Sequence, residues 1–161
     1  MSSNADLPDI AEVFGQLLRR VPRERQPLLI ALAERMAAER YRGWAGDAAD
    51  ADRRAALLAC ADREEEIARR VEALYPEAAS VQREILAGHP DLPELNRSLF
   101  APHAVQQQLT LQAQGERLGA ATWRAFAKHP ASDEARKTFL GCALLEEQNA
   151  DFLESISGRG S

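Results

Sequence analysis

Apolar residues recur at helical spacing along most of the chain, and strand-period alternation is nearly absent. In "DIAEVFGQLLRRV" (9–21), Ile10, Val13, Phe14, Leu17 and Leu18 share one face. This predicts a short amphipathic helix over 8–21, punctuated by Pro22. Longer helices are predicted from about Arg25 to Ala45, with Pro27 in the first turn and Gly46-Asp47 at the end, and from about Asp50 to Leu74, stopped by Tyr75-Pro76. Residues 75–101 have another texture: Pro76, Gly88, Pro90 and Pro93, with Pro102 just beyond, leave one short helical piece around 78–86. A long helix resumes from about Pro102 to Ala127. The turn "KHPAS" follows, then a last helix over about Asp133 to Ile156 and a frayed "SGRGS" tail.

The four long helices come as two hairpins with short internal turns. Each has more than 20 residues, or roughly 30–40 Å at 1.5 Å per residue. Joining the second to a parallel third requires a connection that runs back along the bundle, and residues 75–101 are long enough to supply it. The expectation is an all-α four-helix bundle with one long crossover, in a single domain over 1–161: accessory helix 8–21, first hairpin 25–74, crossover 75–101, second hairpin 102–157.

The hairpins also repeat. Residues 28–74 align with 110–156 at an offset of 82 without a gap, and about a third of the positions are identical. "ERMAAERYRGWA" (34–45) stands against "ERLGAATWRAFA" (116–127), and "LLACADREEEIA" (57–68) against "FLGCALLEEQNA" (139–150). A duplicated helical hairpin implies a pseudo-twofold axis, with equivalent positions facing each other.

One acid per long helix interrupts the inward stripe. Glu34 lies within Ile30, Ala33, Ala37, Tyr41 and Trp44; Glu116 within Leu109, Ala113, Ala120, Trp123 and Ala127. Glu64 follows Cys60 and Ala61, and Glu146 follows Cys142 and Ala143. Glu65, Glu66 and Glu147 are turned away by about 100° or more, toward solvent. Four carboxylates in one core require compensation from metal cations, arginines, protons or water.

Composition sets the limits on this picture. At 161 residues the chain can bury one core without disulfides, and its abundance of Ala, Leu, Glu, Arg and Gln favours helix. A net charge of −5 without a basic stripe argues against nucleic acid. No apolar run approaches a membrane span, the N-terminus lacks a secretory pattern, and two cysteines outside any CxxC or CxxH spacing suggest reduced core thiols in the cytoplasm. There is no Ser-His-Asp set, phosphate-cradling glycine loop or dinucleotide fingerprint to support hydrolase, kinase or dehydrogenase readings.

The hairpins in which Glu is followed seven residues later by an aromatic (Glu34 to Tyr41, Glu116 to Trp123), with the acidic stretch "LEEQNADFLE" (145–154), resemble the rubrerythrin branch of the ferritin-like superfamily over residues 28–74 and 104–157. The resemblance implies a di-iron carboxylate site with one Glu on each of two helices and Glu-x-x-His on the other two. By position, Glu34 and Glu116 match the single acids, and Glu64 and Glu146 match the acids of the paired motifs. Both histidines are replaced, by Ile67 and Asn149. His89, His103 and His129 fall in connections or at a helix start, and do not restore them. Ile67 has no donor atom, while Asn149 offers one carbonyl oxygen, which suits a hard cation such as Mg²⁺, Ca²⁺ or Mn²⁺.

The expectation that follows is a ferritin-like homodimer without a working di-iron centre, serving as a binding or structural module. Its four glutamates would be relics held by arginines such as Arg35 and Arg117, by protons or by water. The alternative is a metal-binding protein or oxidoreductase with a carboxylate-rich di-metal site (Fe or Mn) on Glu34, Glu64, Glu116 and Glu146, with Asn149 as a weaker fifth. The apolar stripe of helix 8–21 must be covered either by its own bundle or by a second subunit.

Overall fold

The computed structural model describes residues 7–157. The N-terminal residues read for a secretory pattern, as far as position 6, and the end of the "SGRGS" tail lie outside the described residues. Within them the chain is all-helical: α1 (Ile10–Leu18), α2 (Gln26–Asp47), α3 (Ala51–Glu72), α4 (Ala78–Gly88), α5 (Leu92–Phe100), α6 (Val105–Lys128) and α7 (Asp133–Ser157), with a 3₁₀ turn at Arg23–Arg25 before α2. No helix among the described residues is long and apolar enough to cross a membrane.

Local chemistry sets the boundaries. The Asp9 carboxylate accepts the Glu12 amide at 3.2 Å to open α1, and Asp50 accepts those of Asp52 and Arg53 to open α3. Ser132 Oγ accepts the Ala135 amide at the start of α7. Pro27 occupies the first turn of α2, where a missing N–H costs nothing.

The connection 75–101 departs from expectation. It holds two helices, α4 and α5, where the proline pattern left room for one. Pro93 lies in the first turn of α5 and starts that helix instead of breaking it.

Helix α2 packs along α3, and α6 along α7, each pair joined by a short turn; α3 also packs on α7. Side chains tie α2 to α6: Trp44 Nε1 donates to Gln108 at 2.9 Å, and Tyr41 donates to Glu116. Helix α1 rests on α6 of its own chain, which leaves its apolar stripe half-buried. Phe14 and Leu18 border the cluster around Trp123 and Phe139, and Leu17 borders the one around Leu28 and Ile85.

Two apolar clusters fill the space between the long helices. One contains Ile30, Ile67, Trp123 and Phe139; the other contains Tyr41, Leu57, Leu109 and Leu153. Along every long helix the buried glutamate falls where the chain passes from one cluster to the other. The acids therefore form a polar layer between two greasy ones.

The outer ion pairs recur with the 82-residue offset. Arg35 Nε and Nη2 bind Glu72 Oε1 and Oε2 at 3.0 and 2.6 Å, and Arg117 Nε and Nη2 bind Glu154 Oε1 and Oε2 at 2.9 and 2.8 Å. Arg42 pairs with Glu65, and Arg124 with Glu147. Arg35 and Arg117 are thus spent on the outside. Neither holds the buried acids, because a side chain one position on from Glu34 or Glu116 leaves the helix about 100° further round, toward its outer face.

Candidate metal centre

Glu34, Glu64, Glu116 and Glu146 are all buried, at 7, 0, 1 and 2% exposure. Three of them meet: Glu34, Glu64 and Glu146 each offer one carboxylate oxygen, and these oxygens lie within 4.8 Å of one another. That spacing fits a shared cation. Two oxygens on opposite sides of an ion, each about 2.1–2.4 Å from it, are about 4–5 Å apart.

Glu116 is adjacent but otherwise engaged. Its Oε1 accepts from the Tyr41 hydroxyl at 2.6 Å and from Gln112 Nε2 at 3.0 Å. Glu146 Oε1 accepts from Trp123 Nε1 at 3.0 Å, and Glu64 Oε1 from Asn149 Nδ2 at 2.7 Å. Among the described residues, Oε2 of Glu64 and Oε2 of Glu116 have no hydrogen-bond partner. A buried carboxylate oxygen left bare is costly and is stabilised by a proton or a cation.

Charge crowding is visible in the acids themselves. Burial, and then the charges of Glu116 and Glu34, hold Glu64 well above the usual carboxylate range. Burial, Glu34 and Glu116 do the same to Glu146. Glu34 is raised chiefly by burial, and hydrogen bonding from Glu64 and Glu146 partly offsets this.

Asn149 occupies the expected place but turns its amide N–H toward Glu64. Its carbonyl oxygen accepts from Arg63 Nη1 at 3.0 Å, and its N–H also reaches the Cys60 carbonyl. It therefore orients Glu64, while Ile67 is fully buried in the apolar cluster. Cys60 and Cys142 are buried core thiols, both pushed up to about 12 by burial. His89 and His129 cap helix ends, and His103 lies between α5 and α6.

Three supporting residues were not singled out by the sequence reading. Gln112 binds Glu116 and stands one turn before it, where the first repeat has Ile30; a polar residue in the inward stripe was the available signal. Gly119 stands where the first repeat has Ala37. A Cβ there would sit 2.6 Å from Glu146 Oε1 and 2.7 Å from its Cδ, so the missing side chain makes room for the carboxylate. Arg40, on α2, donates through Nε and Nη2 to Gln112 Oε1 at 3.2 and 3.0 Å, which links it to Glu116 through that amide.

The donor set is oxygen only: among the described residues no thiol or imidazole joins the three carboxylates. Such a set favours hard divalent ions over those that prefer nitrogen or sulfur. Comparison with family models, curated proteins and solved structures finds no match to this chain.

Proposed function

We propose that this chain is a ferritin-like four-helix bundle, built by duplication of a helical hairpin, whose buried glutamate layer binds a hard divalent cation, for which Mn²⁺ serves as the probe. The carrying observation is the convergence of Glu34, Glu64 and Glu146 oxygens within 4.8 Å, beside bare buried oxygens on Glu64 and Glu116. The repeated Arg–Glu pairs on both hairpins support the duplication. Glu34, Glu64 and Glu146 would hold the ion, and Glu116 would add charge from the side fixed by Tyr41 and Gln112. A bound cation would neutralise the acids and supply Lewis acidity.

A second reading has its own support. Asn149 gives Glu64 an N–H instead of giving an ion an oxygen, and Ile67 gives nothing. On that reading the acids keep protons, and the bundle is a binding or structural module. Elemental analysis of protein purified without chelators, followed by Mn²⁺ titration of the stripped protein, separates the two. The proposal expects at least one tightly held ion per chain, lost in Glu64→Gln/Glu146→Gln. A metal-free protein that ignores added Mn²⁺ establishes the second reading.

A further inference from the structure

Helix α1 carries a full apolar stripe, yet none of its residues is buried. The stripe, including Phe14 and Leu17, forms one wall of a cleft of about 130 Å³, whose other walls come mainly from α2, α5 and α6, with Leu86 of α4 and Glu146 of α7. An apolar cavity of about 150 Å³ accommodates benzene, so this space suits a ring or a short alkyl chain. Gly115 of α6 helps to create it: the residue lines the cleft, and a Cβ built there meets nothing within 4 Å.

Where the cleft reaches the interior its lining becomes polar, with Glu34, Glu146 and Arg40. The Arg40 guanidinium lies 3.9 Å above the Phe100 ring. Its hydrogen bonds go to Gln112 Oε1 and Asn96 Oδ1, both neutral amide oxygens. Among the described residues no carboxylate is within ion-pair distance of it, although most of the arginines named above pair directly with acids. Three of its five N–H groups are engaged, which leaves donors for another acceptor. A cation partly withdrawn from water at the end of an apolar cleft matches an anion with an apolar tail.

We propose that the cleft binds a small monocarboxylic acid, with its carboxylate on Arg40 and its alkyl tail between α1 and Gly115. Protons and cations alike neutralise the glutamates, so the inference stands on either reading of the acid layer. A single carboxylate is met by the single guanidinium.

Calorimetric titration with hexanoate and with hexanol, on stripped and on Mn²⁺-treated protein, tests this. Wild-type protein is expected to bind one hexanoate per chain at least tenfold more tightly than hexanol. Arg40→Gln should reduce hexanoate to the level of hexanol. Gly115→Leu, whose Cβ enters open space on a helix, should abolish binding of both while circular dichroism shows the helices retained. Failure of hexanoate to bind, equal affinity for hexanol, or hexanoate binding untouched by Gly115→Leu each overturns the proposal.

Discussion

The Tyr41 hydroxyl on α2 donates to Glu116 Oε1 on α6 at 2.6 Å, a bond made inside the protein between residues 75 positions apart. Burial and the Glu116 charge hold the phenol well above its usual range, so it remains a donor at every working pH. Tyr41→Phe removes the donor and leaves Glu116 with Gln112 alone. A loss of about 1–3 kcal/mol in urea unfolding is expected. An unchanged midpoint would show that the bond contributes nothing net.

Gly115 and Gly119, one turn apart on α6, should respond oppositely to alanine. Both substitutions gain up to about 1 kcal/mol of helix propensity. At Gly115 the methyl enters open space, so higher stability is expected. At Gly119 it lands on the Glu146 carboxylate, and a weakened Mn²⁺ affinity is expected in titrations of the folded variant.

The acid layer gives metal-free protein a pH dependence of definite sign. Below 4.5, the ordinary value for the group, Glu64 is protonated in both the folded and unfolded chains. Above it the unfolded chain ionises first while the folded chain keeps the proton, so stability falls as pH rises. One retained proton amounts to about 1.4 kcal/mol per pH unit. Glu64→Gln has no proton to lose. Its stability relative to wild type should therefore climb between pH 5 and 8 in urea titrations with chelator present; a flat difference would contradict the raised Glu64.

Arg35 and Arg117 make bidentate pairs on the outer faces, each with 42% of its side chain exposed. Replacing either by methionine should cost less than about 1 kcal/mol, and less still in high salt. Metal content should not change. A drop in bound metal would place these arginines in the centre after all.

The four inward glutamates were legible because small and apolar residues recur around each of them at helical period. A stripe interrupted by one acid, at positions 82 residues apart in the two hairpins, is a strong pattern. Helix α5 was hidden by Pro90 and Pro93, since a proline in the first turn of a helix and a proline that ends one look alike in sequence. Arg40 lies beside the inward stripe, where an arginine reads as solvated; only the approach of α5, with Asn96 and Phe100, withdraws it from water. The role of Asn149 was half legible. Its position follows from the spacing to Glu146, but which end of the amide meets Glu64 depends on Arg63, a contact 86 positions away.

Glu34 and Glu146 both line the cleft, and Glu34 is the more exposed, at 7% against 2%. The layer is flanked by two apolar clusters, so the cleft, with both carboxylates in its wall, is the route that leads to it. A tail lodged under α1 would stand across that route and slow the exchange of whatever neutralises the acids.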